Sequence, residues 1–292
     1  SFHTFTKNFQ KPFDEVLIKT MQDTMKYLCE NIQGCAFGYT QSDEITLILI
    51  DYKKLTSSAW FDYEVQKICS IAASMATMAF NKYFLKNYLD HIANYNDTYH
   101  PNFEDEKDRE KWKNFVSAYT NASEKGAMFD ARCFNIPKEE VANLLYWRQL
   151  DASRNSIQMV GQANFSHKEL QNKTCSDIQD MLMTQKGINW NELPTHQKRG
   201  SCCIKTLESV SNNEENKNGT KRPHWIIDAE IPIFRGEGRE YIDKLVYVSC
   251  NPITLSRDIN ILKNKYNLVD ITLYDMFPNT NHVESVCLFK IK

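Results

Sequence analysis

The chain is short of several features that would settle its class at once. Its 9 cysteines include no Cys-x-x-Cys pair, and Cys202 and Cys203 are adjacent. That spacing excludes a zinc ribbon or a disulfide scaffold and fits reduced thiols in a cytoplasmic protein. There is no excess of either charge: 35 Lys and Arg oppose 37 Asp and Glu, for a formal charge of −2. A nucleic-acid partner would have to be held by local basic patches, not by a global positive field. No apolar run reaches the roughly 18 residues of a membrane span, and no charged-then-apolar leader opens the chain. Sequons such as Asn96-Asp97-Thr98 are then accidental. The first residue, Ser1, falls in what reads as a structured segment, so the N-terminus is expected to be that of a fragment.

What is present is enough apolar residue to build a core. Hydrophobic residues make up 42% of 292, sufficient for one large domain or two smaller ones. In residues 15 to 31, Val16, Leu17, Met21, Met25 and Leu28 recur at spacings near three and four, which predicts an amphipathic helix, with Lys11-Pro12 as a start signal. Two apolar runs follow, 35 to 39 and 45 to 50, separated by Thr40-Gln41-Ser42-Asp43-Glu44, which predicts a β-hairpin with an acidic tip. Residues 60 to 84 read as a helix. Residues 94 to 127 read as a mostly exposed, partly helical insertion, 129 to 134 as a strand, and 137 to 165 as one long helix or two joined ones. Residues 210 to 222 are polar and aperiodic, a loop or linker. Beyond them, 225 to 232 and 245 to 249 read as strands, 254 to 265 as a helix and 285 to 291 as a strand. Helix, hairpin, helix, strand, helix is the order of an α+β, ferredoxin-like palm without its first strand.

Asp43 and Glu44 sit at the tip of a hairpin with strongly apolar arms. On spacing alone they are solvated turn residues. As a site, they would present hard oxygen ligands to Mg²⁺, which nucleotidyl transfer uses to activate the attacking hydroxyl and to hold the triphosphate. Gln41-Ser42-Asp43-Glu44, with Phe9-Gln10-Lys11-Pro12-Phe13-Asp14 ahead of it, resembles the tRNA-His guanylyltransferase family and its relatives, the Thg-like 3′-to-5′ polymerases. The resemblance extends to about Lys244 through Phe2-His3-x-Phe5, Lys67, Phe129-Asp130-x-Arg132, Trp147-Arg148-Gln149-x-Asp151, Asn189-Trp190-Asn191-Glu192-Leu193-Pro194 and Lys198-Arg199-Gly200. It implies a polymerase-like palm in which Asp43 binds two Mg²⁺ ions with Glu44 beside it. It further implies that His3, Ser42 and Lys67 hold a nucleoside triphosphate, GTP or ATP, and that Lys11 and Asp14 assist activation of the tRNA 5′ end. A homotetramer is also implied.

Two departures qualify this expectation. The family's other metal-binding aspartate lies in an Asp-Gly-Arg run that would fall immediately before Ser1, so the chain is expected to transfer nucleotides poorly or not at all. Arg154-Asn155-Ser156 is more like the templated enzymes that repair truncated tRNA 5′ ends than those that add one guanylate to tRNA-His. On a helix, Arg148, Asp151 and Asn155 share one face, either a tRNA contact, together with Arg154, or an ion-paired helix surface.

Residues 246 to 292 carry a second resemblance, to the end of the RNA 5-methyluridine methyltransferases, through Ser249-Cys250-Asn251-Pro252 and Asp275-Met276-Phe277-Pro278-x-Thr280-x-His282-x-Glu284. It implies Cys250 as the nucleophile toward uracil C6 and Glu284 as the base that removes the C5 proton. A lone cysteine at a strand end is otherwise a small buried residue. An S-adenosylmethionine site needs a glycine-rich turn. Only 9 glycines occur, and Arg235-Gly236-Glu237-Gly238 reads as a surface loop. The expected organisation is a nucleotidyltransferase domain over 1–209, a linker at 210–222, its last segment at 223–244, and a methyltransferase-like α/β tail over 245–292. Such a tail is expected to be without methyl transfer, and the whole to be either a fusion or an inactive RNA-binding chimera.

Overall fold

The computed structural model describes residues 2–51, 58–99, 105–206, 224–246, 266–274 and 284–291. The short helix α1 (Phe2–Phe5) leads into α2 (Glu15–Asn31), whose N-terminus is capped by Asp14. The hairpin follows as β1 (Cys35–Gln41) and β2 (Glu44–Leu49). A tight turn at Trp60–Tyr63, left-handed at Phe61 (φ 51°) and Asp62 (φ 50°), precedes the 35-residue helix α3 (Val65–Tyr99) and then α4 (Glu106–Lys125). The residues from Lys138 form one helix, α5 (Lys138–Asn164), followed by α6 (His167–Leu170), α7 (Cys175–Lys186) and α8 (Thr195–Arg199). Then come β3 (Ser201–Thr206), β4 (His224–Asp228), α9 (Arg239–Val246), β5 (Tyr266–Tyr274) and β6 (Glu284–Ile291).

Four strands form one antiparallel sheet in the order β2-β1-β3-β4, and β5 and β6 pair separately. Both faces of the larger sheet are covered, which is why all seven residues of β1 are buried. On one face Phe37, Tyr39, Ile48 and Cys202 pack with Val141 and Leu145 of α5 and Ile242 of α9. On the other, Cys35, Cys203 and Trp225 pack with Met25, Leu28 and Cys29 of α2 and Ala76 of α3. Gly38 is required there: a Cβ on it would lie 2.6 Å from Cys29 Sγ. A third cluster is mostly aromatic, with Phe5, Phe9, Phe80, Phe84, Tyr88 and Tyr119 bringing α1, α3 and α4 together. Its rings stack, Phe9 on Tyr119 at 4.6 Å between centroids.

Several elements differ from the sequence expectation. Residues 129 to 134 are not a strand. They run along α3, where Phe129 N donates to Thr77 Oγ1 at 3.0 Å, and Asn81 both donates to Ala127 O at 2.9 Å and accepts from Ala127 N at 2.8 Å. Side chains of α3 thereby satisfy backbone groups that a ladder would otherwise hold. The place beside β1 is taken by β3, which local pattern does not announce. The insertion is less exposed than expected, because α4 buries Tyr119 and Ala122. Leu245 and Val246 close α9 instead of opening a strand, and β5 was not expected. The linker at 210–222 and the helix at 254–265 lie outside the described residues.

Candidate active site

The apolar arms of the hairpin fix its tip. Gln41 pairs with Glu44, leaving Ser42 and Asp43 as a two-residue turn. Ser42 holds φ 51°, an unusual backbone for a non-glycine residue and one that costs on the order of 1–3 kcal/mol. The tip is braced from both sides: Thr40 Oγ1 donates to Glu44 O at 2.9 Å, and Gln41 Nε2 donates to Glu44 Oε2 at 2.7 Å. Arg148 of α5 reaches across to the same Glu44 oxygen in an ion pair. Asp43 is exposed, and its carboxylate has no hydrogen bond or ion pair to any described residue.

The tip therefore presents one open carboxylate beside one that is neutralised. Mg²⁺ is ordinarily held by one or two carboxylates together with substrate phosphates, so this donor set fits such an ion. Asp43 would be its first protein ligand, and Glu44 a second where it exchanges Arg148 for the ion. Among the described residues no group of three His, Cys, Asp or Glu side chains could hold a metal by itself.

The other expected site residues divide into those near the tip and those elsewhere. Ile45, adjacent to Glu44, packs against the aromatic cluster that includes Phe2, so the tip end of β2 and α1, which carries His3, share that cluster. The His3 side chain is not described. Lys67 lies near the start of α3, exposed, with its ammonium 4.8 Å from the centroid of the Phe61 ring. Lys11 is exposed. Asp14 is buried, and both its oxygens are engaged: Oδ1 accepts from Leu17 N at 2.9 Å, and Oδ2 accepts from Gln10 N at 3.0 Å and from the Tyr119 hydroxyl. Burial, then the Asp14 charge, pushes the Tyr119 hydroxyl above its ordinary pKa.

The Trp147-Arg148-Gln149 run separates into three roles. Gln149 is buried and pins the 230s segment, donating to Pro232 O at 2.8 Å and accepting from Phe234 N at 2.9 Å. Arg148 turns to the hairpin. Trp147 points to solvent, 68% exposed. Asn155 Nδ2 lies 3.4 Å from Asp151 Oδ2, and Arg154 is exposed about two turns further along the Trp147 side of the helix. Sequence reading passed over Trp147 as an individual residue, although it falls out of phase with the buried Val141, Leu145, Gln149 and Ala152. Tyr39, two residues before Gln41 in β1, donates to Arg199 O at 2.7 Å. Its hydroxyl is raised above the ordinary pKa by burial, then by Cys202, with Arg148 opposing and Asp151 and Glu44 adding. Gly200 closes the Lys198-Arg199-Gly200 run at φ 83°, where a Cβ would lie 2.4 Å from Thr40 O.

In the tail, Cys250 lies outside the described residues, and Glu284 opens β6 with its side chain not described. No helix among the described residues is long and apolar enough to cross a membrane.

Comparison with known proteins adds two findings. The family model for tRNAHis guanylyltransferase matches residues 1–137. Over more of its length the chain is similar to a solved bacterial tRNA(HIS) guanylyltransferase (Thg1)-like protein in complex with ATP. The two are 41% identical, with 84% of this chain and 86% of that one covered and a TM-score of 0.65. A structure of such a bacterial protein in complex with GTP gives 37% identity, 84% and 85% coverage and a TM-score of 0.60. The family model for tRNA (uracil-5-)-methyltransferase matches residues 238–292. There the chain is 53% identical over 49 residues to an uncharacterized RNA methyltransferase of Staphylococcus aureus (strain COL), covering 17% of this chain and 11% of that protein. The chain thus spans about a tenth of the length of that methyltransferase.

Proposed function

The chain belongs to the tRNA-His guanylyltransferase family, and from that membership we propose that it is a metal-dependent nucleotidyltransferase adding nucleotides 3′-to-5′ at the 5′ end of tRNA. The observation that carries the reading is the open Asp43 carboxylate on a braced hairpin tip, beside a Glu44 held by Arg148. In this reading the sheet with its two helical layers is a polymerase-type palm. Mg²⁺ bound at Asp43 lowers the pKa of the attacking hydroxyl and orients the triphosphate. Ser42, His3 and Lys67 hold GTP or ATP, and positive charge near the polyphosphate contributes several kcal/mol in such sites. Lys11 faces the tRNA 5′ end. Asp14, with both oxygens occupied, acts by clasping the 10–14 loop that carries Lys11.

The tRNA lies along the Trp147 and Arg154 side of α5, where an exposed indole and a free guanidinium offer stacking and charge. Arg154-Asn155-Ser156 directs the activity to templated 5′-end repair. The chain works as a homo-oligomer, a tetramer by family resemblance, in the cytoplasm. Labelled GTP and ATP should bind the chain in the presence of Mg²⁺, and the chain joined to the family's Asp-Gly-Arg run should place labelled nucleotide on a 5′-shortened tRNA, with both signals lost in Asp43→Ala. Nucleotide binding that is indifferent to Asp43 and to Mg²⁺ rejects the reading.

A second reading concerns the tail alone and rests on the family match at residues 238–292. We propose that the tail is a terminal methyltransferase segment carrying Cys250 and Glu284 but no S-adenosylmethionine site, and that it does not methylate by itself. A covalent adduct between Cys250 and 5-fluorouridine RNA in the presence of S-adenosylmethionine would overturn this.

A further inference from the structure

The extended segment at 129–134 lies along α3 in a register that backbone geometry sets. Ala127 and Phe129 are held by Asn81 and Thr77, which share one stripe of α3 with Ala73 and Cys69 at steps of four. From Phe129 to Cys133 an extended chain advances about 13 Å. From Thr77 back to Cys69 the helix spans about 12 Å. Two cysteines 64 positions apart in the chain therefore arrive side by side, and Cys69 Sγ donates to Cys133 Sγ at 3.7 Å. Cys133 Sγ also lies 3.9 Å from Val65 O in the first turn of the helix. Phe129, Ala131 and Cys133 are the half-buried members of the alternating segment, which is why Cys133 is on the helix side. Cys69 and Cys133 are both half-buried, whereas Cys29, Cys35, Cys202 and Cys203 are buried. Burial, then the hydrogen bond with Cys69, raises the Cys133 thiol above its ordinary pKa, so it rests as a thiol at neutral pH.

We propose that Cys69 and Cys133 form a reversible disulfide that clasps the connection between α4 and α5 onto α3. The oxidant is a small-molecule disulfide such as oxidised glutathione. One cysteine, as its thiolate, attacks a sulfur of the oxidant and forms a mixed disulfide, expelling a glutathione thiolate that takes up a proton. The second cysteine gives up its proton, attacks the protein-bound sulfur and expels the second glutathione as a thiol. Two cysteine thiols are thereby oxidised to one S–S bond and the oxidant's S–S bond is reduced to two thiols. The sulfurs need only close from 3.7 Å to about 2 Å. Cys133 sits four residues beyond the Phe129 anchor on an extended chain, so a small shift of that chain suffices. In a reducing compartment the pair stays open, and intracellular disulfides of this kind are characteristically transient and redox-sensing. Once closed, the bond ties the start of α3, which carries Lys67, to the Asp130-x-Arg132 run and encloses the rest of α3 and all of α4 in one loop.

The full chain, incubated with oxidised glutathione at neutral pH, acid-quenched, alkylated and peptide-mapped without reduction, tests this. A peptide pair joined through Cys69 and Cys133, two hydrogens lighter than its parts, should form within minutes to hours and vanish with dithiothreitol. In Cys69→Ser, Cys133 should carry glutathione instead, and in Cys133→Ser, Cys69 should. Closing so long a loop should raise the melting temperature of the oxidised wild type by about 4–8 °C over the reduced protein. Neither serine variant should show that rise, and reduced variants that melt near the reduced wild type confirm that the substitutions leave the fold intact. The wild-type map decides the pairing whether or not a serine variant folds. Glutathione on both cysteines with no crosslink, or Cys133 joined to Cys175 or any other cysteine as often as to Cys69, overturns the proposal. An oxidised wild type that melts no higher than the reduced one defeats the clasp. None of these measurements depends on nucleotidyl transfer, so the clasp stands or falls apart from the proposed activity.

Discussion

Replacing Asp14 with alanine removes three hydrogen bonds at one buried point, and their sum can be worked from the structure. Loss of the cap on Leu17 N costs about 1 kcal/mol. The Tyr119 hydroxyl, in a side chain only 2% exposed, is left without its acceptor, which costs about 1–3 kcal/mol. Gln10 N, partly buried, loses its partner at about 1 kcal/mol. Partial relaxation included, Asp14→Ala should destabilise the chain by about 3–5 kcal/mol. Asp14→Asn keeps a carbonyl oxygen for the cap but turns an amide N–H toward Gln10 or Tyr119, and should cost about 1–2 kcal/mol. Urea unfolding followed by circular dichroism measures both, with the midpoint shifting and the slope unchanged. An alanine variant within about 1 kcal/mol of wild type refutes the account. The two variants also separate the roles of this residue. If Asp14→Asn loses 5′-end addition beyond what its small loss of stability explains, the carboxylate acts in chemistry as well as in holding the 10–14 loop.

Three further outcomes follow from the same geometry. Gly200→Ala places a methyl 2.4 Å from Thr40 O on a backbone only glycine adopts freely, and should cost about 2–5 kcal/mol, read as a fall in melting temperature. The Glu169 and Asp177 carboxyls lie below their ordinary 4.5 and 3.8, held by hydrogen bonds from Ser166 and Thr174. Their stabilisation of α6 and α7 is present above those values and is lost as pH falls through the depressed ones, so the first amides of both helices should lose exchange protection in that acid window and not at neutral pH. Arg148→Ala should change stability by less than about 1 kcal/mol, since the pair is partly exposed. It should nevertheless tighten Mn²⁺ binding several-fold in a titration, because it frees the Glu44 carboxylate; unchanged or weaker Mn²⁺ binding contradicts that assignment.

The legible parts of the fold were those whose cause is local. The stripe Val16, Met21, Met25 and Leu28 is the buried face of α2, and the apolar arms around Ser42-Asp43 form the hairpin because each arm pairs with its immediate neighbour. The segment at 129–134 shows why local pattern also misleads. Its alternation is real, with Phe129, Ala131 and Cys133 half-buried while Asp130, Arg132 and Phe134 are exposed. The same alternation serves an extended segment lying on a helix, and only the source of the hydrogen bonds distinguishes the two. Strand β3 escaped notice for the opposite reason: Ser201-Cys202-Cys203 is short, and what makes it a strand is a register with Tyr39 and Thr40 formed about 160 residues earlier in the chain. In the candidate site, the acidic tip was readable and its arginine was not. Helical spacing groups Arg148 with Asp151 and Asn155, and Asn155 does lie near Asp151, but Arg148 pairs with a carboxylate 104 positions away.

That pairing bears on how a hairpin with two adjacent acids could accept a polyanion. Two bare carboxylates would repel a triphosphate before any cation arrived. At about 4 Å a unit pair is worth on the order of 4 kcal/mol at an effective dielectric of 20, and partial exposure reduces the net contribution of Arg148 and Glu44 to about 1 kcal/mol or less. An interaction of that size hardly affects folding, yet it halves the charge of the tip. Asp43 is left as the carboxylate with unengaged oxygens, on a turn that Thr40 and Gln41 hold through Glu44. Under the proposed function the weakness of the pair would be useful, since a divalent ion arriving with its phosphates would displace the guanidinium from Glu44 at small cost. The released Arg148 would then face the phosphates as a donor on the side where the carboxylates cannot serve.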